Sequence, residues 1–358
     1  MKENIEKFLM EKTSVVDKVM EIYLPRRYDR RSVLFELSPP RYDPNYEALN
    51  RAIAEPIWDF LDRGGKRWRS GLFLLICEAL GKNPREFVDF AIIPEVIHNG
   101  TLIIDDIEDS SEFRRGKPCT YKLFGLDVAI NVGSAMYHLP LLTLMKNKKK
   151  LSSHQLSRIY EIFAQEMINL SLGQATDIAW HRGLAKADEA TEEQYLQMCA
   201  YKTGTLARMA AKIAAVLAEA NEDFIEKIGK FAEAIGVAFQ MEDDILDLVG
   251  EEFAERKGGL GQDITEGKRT LIVIHTLKKA SPDDRNSLIE ILNTHTTDKR
   301  LKNEAIDLMK KYGSIGYVRG IARNTVKKSW SAIEGFLPSS DAKEELKAFA
   351  EYLTERKI

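Results

Sequence analysis

The chain has 358 residues, enough for one large domain or two ordinary ones. Its 52 Lys and Arg against 55 Asp and Glu give a net charge of −3, which excludes a generally basic, polyanion-coating protein and with it a nucleic-acid partner. A hydrophobic content of 44% supports a sizeable core and excludes an acidic disordered chain.

Taken in chain order, residues 1 to about 23 read as an amphipathic helix, with Ile5, Phe8, Leu9, Val15, Val16, Val19 and Met20 apolar. Acids and bases are mixed there, without the apolar core of a signal segment. PRRYDRR and SPPRYDP then read as turns, so residues 1–45 are expected to be an N-terminal helical extension ahead of a domain over 46–358. Nine of the eleven prolines fall at or before Pro140, and residues 141 to 281 contain none of this helix breaker. Ile159, Ile162, Phe163, Met167 and Leu170, and later Phe224, Ile228, Phe231, Ile235 and Phe239, recur at helical spacings of three and four. Thr191 is placed to cap a helix from Glu192 to Ala220. The run from Lys146 to Lys150 reads as a solvated turn, and no alternating apolar pattern marks a hairpin. These signs together predict an all-α chain, a bundle of ten or more helices in one large domain. No run of about 18 apolar residues is seen, so no transmembrane segment is expected. Cys77, Cys119 and Cys199 lie far apart without metal spacing and suit a reducing compartment, giving a cytoplasmic expectation.

Two short acidic runs carry the chemistry. Asp105-Asp106-Ile107-Glu108-Asp109 and Asp243-Asp244-Ile245-Leu246-Asp247 share a DDxxD pattern. On a helix turning about 100° per residue, positions i and i+4 lie about 40° apart. Asp105 and Asp109 therefore share one face, and Asp243 and Asp247 another. Crowded carboxylates are costly unless a cation neutralises them, and hard oxygen ligands at this density favour Mg²⁺, which keeps positions open for substrate phosphates. A solvated acidic face is the competing reading for a single run. Leu102-Ile103-Ile104 and Val237-Ala238-Phe239 argue against it, because each run emerges from apolar helix where free charge is expensive. Phosphate-type donors accompany the runs. Arg114-Arg115-Gly116 follows the first where its helix is expected to end. Gly64-Gly65-Lys66-Arg67-Trp68-Arg69 opens another helix. His98 stands two turns before Asp105, and Gln240 one turn before Asp243 and Asp244. Lys202-Thr203-Gly204 is expected to break a long helix and bare its carbonyls.

In this order GGKRWR, HNGTLIIDDIED…RRG, GQATD, KTG, FQMEDDILD and GQDITEGKRT resemble the motifs of trans-isoprenyl diphosphate synthases, over roughly residues 46 to 350. From His98 to Tyr137 the chain is most similar to the geranylgeranyl diphosphate synthases of that family. The resemblance implies an all-α bundle around a central cavity, a homodimer, and head-to-tail (1′-4) condensation of isopentenyl diphosphate with an allylic diphosphate. It implies that Asp105 and Asp109 hold two Mg²⁺ ions and Asp243 a third, supported by Asp106, Asp244 and Asp247. Arg114, Lys202, Thr203 and Gln240 would clamp the allylic diphosphate. Lys66, Arg69, His98 and Arg115 would take the diphosphate of isopentenyl diphosphate. Lys257 and Lys268 match later family lysines, although KGGLGQD holds one residue more between Lys257 and Asp263 than the common spacing, which weakens the match at Lys257.

The chemistry asked of these residues is electrostatic. Mg²⁺ and cationic donors stabilise the departing diphosphate, and the carbons then join without a His/Asp general-base pair. Carbonyls at Lys202 and Thr203, the ring of Phe239 and the amide of Gln174 are candidate stabilisers of the allylic cation. Product length is expected to depend on small Gly100 and Thr101 before the first run and on bulky Tyr137 and His138 as the floor of a hydrocarbon tunnel, giving a geranylgeranyl (C20) product. A leaky floor, to which the small Ser171 contributes, would give C25 and longer, and a tighter one C15. The segment from Glu251 to Lys268 reads as a lid over the diphosphates. A terpene cyclase disagrees with Asp at 247 and has no use for the Lys66, Arg69, His98 and Arg115 set. A di-iron bundle needs a second ExxH pair beside Glu95 and His98. A non-catalytic subunit would be expected to have lost some of these aspartates and arginines.

Overall fold

The computed structural model describes residues 14–250 and 259–354; Lys257 and the expected lid residues 251–258 lie outside them. The described residues are almost entirely helical and group into two compact units. Unit 1 draws on Met1–Ala164, Leu206–Gly229 and Glu334–Ala348, and unit 2 on Gln165–Thr205, Lys230–Ile333 and Phe349–Ile358.

Unit 1 begins with α1 (residues 14–23), whose Val16, Met20 and Tyr23 recur at helical spacing and are buried. The Tyr23 hydroxyl donates to Asp89 Oδ2 at 2.5 Å, and the Trp58 indole donates to the Leu24 carbonyl at 2.9 Å. The described part of the N-terminal segment therefore belongs to the core of this unit. After α2 (Val33–Leu37), α3 (Tyr46–Leu49) runs into a π-helical turn over Asn50–Ala54 and then α4 (Glu55–Leu61). Helix α5 (Trp68–Ala79) is buried nearly all round, and its Leu72, Phe73, Leu75 and Ile76 are fully buried, worth roughly 1.5–3 kcal/mol each. Helix α6 (Ile92–Glu108) carries the first acidic run at its C-terminal end.

A correction follows directly after α6. Where no hairpin was expected, strands β1 (Phe113–Arg114) and β2 (Lys117–Pro118) pair antiparallel, with Arg114 opposite Lys117. The two-residue turn between them places Arg115 (φ 54°) and Gly116 (φ 77°) in the left-handed region, as a tight hairpin twist demands. Two residues per strand are too few to show alternation in sequence. Then come α7 (Thr120–Phe124), α8 (Leu126–His138) and α9 (Leu142–Asn147). Helices α6 and α8 cross at glycines: a Cβ on Gly100 would lie 2.8 Å from the Gly133 carbonyl and from Met136 Cβ. Leu126–Asn147, 22 residues containing an 18-residue window of mean hydropathy 1.3, passes by length and composition as a membrane span, although none was expected. It is interrupted by a 3₁₀ turn at Leu139–Leu141, and α8 packs one face against α6 at Gly133 and Met136.

Helix α10 (Ser153–His181) opens in unit 1 and closes in unit 2. In unit 2, α11 (Glu192–Cys199) starts at the expected cap: Thr191 Oγ1 accepts from Gln194 N at 3.2 Å while Gln194 Oε1 accepts from Thr191 N at 2.9 Å. The expected break at Lys202-Thr203-Gly204 is instead a π-helical turn over Ala200–Gly204, continuing into α12 (Thr205–Leu217). Its wide backbone presses on Gly173 of α10, where an added Cβ would meet Lys202 N at 2.3 Å. Helix α13 (Glu222–Val249) bears the second acidic run. The short α14 (Gln262–Thr265), α15 (Leu271–Lys279), α16 (Pro282–Asn293), α17 (Lys299–Lys311) and α18 (Ser314–Ser331) follow, and α19 (Asp341–Thr354) ends the described chain.

Candidate active site

In unit 1 the helical register separates the carboxylates of the first run. Asp106 faces inward and is fully buried, accepting from Arg114 Nε at 2.7 Å and NH2 at 2.6 Å. Burial pushes its carboxyl above the ordinary range and Arg114 pulls it back; burial works against the charge of Arg114, and Asp106 and Asp105 more than offset it. Asp105 lies 3.8 Å from Arg114 NH2. Asp105 and Asp109 are both half-buried, and Asp109 closes the last turn by donating its backbone N–H to the Asp105 carbonyl at 2.8 Å. Arg63 ties the hairpin to α4, bonding Asp59 and donating to the Arg114 carbonyl at 3.3 Å.

The left-handed turn sends Arg115 away from Arg114. Its guanidinium covers the Phe60 ring at 4.9 Å and sits against Gly65, 3.3 Å from where a Cβ would stand. Burial, then Arg67, lowers the Arg115 pKa to about 10, while Glu95 opposes them. Arg69 is buried over Trp68, 4.4 Å from its ring centre. His98 is kept neutral, first by burial and then by Arg69, Arg115, Arg114 and Arg67. The structure thus brings Arg69, His98 and Arg115 together, and leaves Lys66 exposed at the mouth of its loop. Gly100 faces the α8 crossing, and Thr101 Oγ1 donates to the His98 carbonyl at 2.7 Å. Tyr137 Cδ1 comes within 3.3 Å of a Cβ built on Gly100, whereas His138 is exposed with Nδ1 at 3.0 Å from the Ser134 carbonyl. Tyr137 and His138 are therefore not presented together.

In unit 2 the same separation recurs. Asp243 is half-buried. Asp244 is buried and accepts from Tyr195 OH at 2.6 Å and from Gln240 Nε2 at 2.8 Å, while Gln240 Oε1 accepts from Thr203 Oγ1 at 2.9 Å. Burial, with Asp263 adding, pushes the Asp244 carboxyl up to about 8. Asp247 is buried and caps α14, accepting from the backbone N–H of Gln262 at 3.2 Å and Asp263 at 3.1 Å. Lys202 Nζ reaches Asp177 Oδ2 at 2.5 Å, and Lys268 pairs with Glu266 and lies 3.8 Å from Asp263. Lys257 falls outside the described residues.

A raised carboxyl has a measurable sign. Asp244 stays protonated in the fold up to about pH 8, while in the unfolded chain it ionises near its ordinary value of 3.8. Its contribution to stability is complete below that ordinary value and is lost as pH rises through 8. In chelator, the melting temperature is expected to fall between pH 5 and pH 8, and Asp244→Asn to flatten that slope. An identical slope in the variant counts against the assignment.

Sequence reasoning did not single out Tyr195; it named Glu95 only for an ExxH pair with His98, Asp263 only as a spacing marker, and Arg67 and Asp177 only inside motifs. The spacing of Gly173 and Asp177, one turn apart in GQATD, is the one signal that points to the Lys202 contact. Among the described residues no three His, Cys, Asp or Glu side chains form a closed metal cage. The half-open carboxylates, Asp105 with Asp109 in one run and Asp243 in the other, instead suit an ion that completes its shell with water and substrate oxygens.

Residues 50–309 match the polyprenyl synthetase family model. The short chain isoprenyl diphosphate synthase of Methanothermobacter thermautotrophicus is 34% identical over 293 residues, covering 82% of this chain and 87% of that protein. The geranylgeranyl diphosphate synthase of Saccharolobus solfataricus is 30% identical over 311 residues, 86% of this chain and 91% of its own length. The crystal structure of geranylgeranyl pyrophosphate synthetase from Pyrococcus horikoshii superimposes with a TM-score of 0.82 at 30% identity, over 99% of both chains. Family match, relatives and all-α isoprenoid synthase architecture agree: the chain is a prenyltransferase belonging to the polyprenyl synthetase family.

Proposed function

We propose that this prenyl diphosphate synthase condenses isopentenyl diphosphate head-to-tail with an allylic diphosphate, giving the C20 product, in a Mg²⁺-dependent reaction. The observation that carries this reading is the sorting of carboxylates within each acidic run. Asp106, Asp244 and Asp247 are buried on donors of their own chain, while Asp105, Asp109 and Asp243 keep partial exposure. The half-open three are the ligands for Mg²⁺, three ions in all, and the buried three hold them in orientation. Bound Mg²⁺ supplies Lewis-acid stabilisation of diphosphate charge.

Arg114, Lys202, Gln240 and Lys268 orient the allylic diphosphate, with Lys257 as a further candidate. Thr203 fixes the Gln240 amide through its hydroxyl. Lys66, Arg69, Arg115 and neutral His98 bind the diphosphate of isopentenyl diphosphate; a neutral imidazole donates a hydrogen bond there without adding repulsion among arginines. Carbonyls of the π-helical turn, with Phe239 and Gln174, offer negative dipole and π density to the developing cation. The departed diphosphate takes the proton released on bond formation. The N-terminal segment 1–45 is read as an extension of a catalytic domain over 46–358. The exposed stripe of Leu123, Leu126 and Ile130 on α7 and α8 supports a homodimer, and the three free, buried cysteines suit a cytoplasmic enzyme.

Labelled isopentenyl diphosphate incubated with dimethylallyl, geranyl or farnesyl diphosphate tests this reading. Incorporation that needs Mg²⁺ and yields a C20 alcohol after dephosphorylation is expected; incorporation undiminished by chelator overturns the metal assignment. Tyr137→Ala is expected to shift the product to C25 and longer by chromatography, and His138→Ala to shift it less. A C20-only profile from Tyr137→Ala removes Tyr137 as the floor.

A further inference from the structure

Arg67 stands between the two recognised cations of its loop, Lys66 and Arg69, yet it behaves differently from both. It adopts φ 47°, a left-handed conformation unusual for a residue with a side chain, and its own side chain is buried. Three groups hold it there. Nε donates to Asp17 Oδ1 of α1 at 3.1 Å, NH2 donates to the Leu61 carbonyl at 3.1 Å, and NH1 lies 3.6 Å from Glu95 Oε1. Glu95 is itself buried on α6, one turn before His98, and Asn99 Nδ2 donates to its carbonyl at 2.7 Å. Glu95 is a buried carboxylate amid Arg67, Arg115 and His98, and its charge works against the repulsion that Arg67 exerts on Arg115.

Unused hydrogen-bonding capacity is concentrated in the same place. Among the described residues Arg67 NH1, Glu95 Oε2, Asn99 Oδ1 and Arg115 NH1 are buried atoms without a hydrogen-bond partner. Buried polar atoms are rarely left so. Of these four, the N–H groups of the two guanidinium nitrogens can be completed by an oxygen-rich ligand, and the two acceptor oxygens by water.

We propose that Glu95 and Asp17 are positioning residues for the diphosphate of isopentenyl diphosphate: through Arg67 they fix the Gly64–Arg69 loop, and Glu95 also steadies Arg115. This makes α1, from the N-terminal extension, part of the binding machinery. Neither carboxylate touches the substrate. Each acts by holding a cation that would otherwise be displaced by its like-charged neighbours. The inference rests on the assignment of Arg69, His98 and Arg115 to isopentenyl diphosphate, and the controls below separate the two.

Steady-state kinetics on the full chain decide it, with the Michaelis constants for isopentenyl and allylic diphosphate measured separately. Glu95→Gln, which keeps shape and loses charge, is expected to raise KM for isopentenyl diphosphate by about tenfold or more, the equivalent of one charge-assisted hydrogen bond. The KM for the allylic diphosphate is expected to stay within about twofold, which a general loss of structure would not spare. Asp17→Asn, at a half-exposed carboxylate whose loss spares the fold, is expected to move the same constant in the same direction by a smaller factor. Arg115→Gln is the control on the site. If it raises KM for isopentenyl diphosphate while Glu95→Gln and Asp17→Asn leave it unchanged, the positioning role is overturned and the site stands. If Arg115→Gln leaves it unchanged, the site assignment fails and the proposal with it. Should Glu95→Gln not fold, Asp17→Asn alone decides, an unchanged constant rejecting the role.

Discussion

Alanine at Asp105 or at Asp243 is expected to cut turnover by about 10²–10³-fold or more while leaving the fold intact, the scale on which preorganised electrostatic groups act. Both side chains are half-buried, and each leaves its buried neighbour in place: Asp106 on Arg114, and Asp244 on Tyr195 and Gln240. Asp106→Ala should behave differently. It removes a fully buried carboxylate and leaves half-buried Arg114 without its partner, a loss that costs stability as well as rate. Initial rates of labelled product at saturating Mg²⁺, paired with melting temperatures, separate the two patterns. Near-normal product formation by both Asp105→Ala and Asp243→Ala would sink the metal-ligand reading.

The second large effect is expected far from any charge. A methyl group on Gly173 would stand 2.3 Å from Lys202 N, 2.7 Å from Tyr201 C and 2.8 Å from Lys202 Cα. All three are backbone atoms, so no side-chain rotation relieves the overlap, and α10 must move from the π-helical turn. Overpacking of this kind costs about 1–3 kcal/mol or more. Lys202 moves with the turn, and its bond to Asp177, one turn after Gly173 on α10, is strained from both ends. Gly173→Ala is therefore expected to lower the melting temperature by several degrees and reduce activity well beyond the unfolded fraction. Gly229→Ala is the contrast: its nearest obstacle is Lys212 Cε at 2.6 Å, the far end of a flexible side chain. Equal melting temperatures for Gly173→Ala and the parent chain would show that the close approach is not required.

Legibility from sequence follows the range of the interaction. The Thr191 capping box, the helical spacing along α10 and α13, and the two acidic runs are local, and each is readable from residues a few positions apart. The hairpin at Arg115 and Gly116 is local too, but its strands are too short to alternate and its turn lacks the usual Asn-Gly. Groups that act across the chain left no trace. Asp247 caps a helix beginning fifteen residues later, Tyr195 reaches Asp244 from another helix, and Arg67 is held by a carboxylate fifty residues before it. The π-helical turn at Ala200–Gly204 belongs with these, because what makes room for it is a missing side chain on α10.

That turn also acts as a phase shift. A π-helical turn is equivalent to one residue inserted into an α-helix, and one residue is about 100° of rotation. The faces of α11 and α12 are thus offset by about a quarter turn from those an uninterrupted helix would present. Tyr195 donates to Asp244 from α11, and α12 beyond the turn is buried along almost its whole length. The segment is consequently a length constraint as well as a chemical one: besides the identities of Lys202 and Thr203, the number of residues is itself fixed.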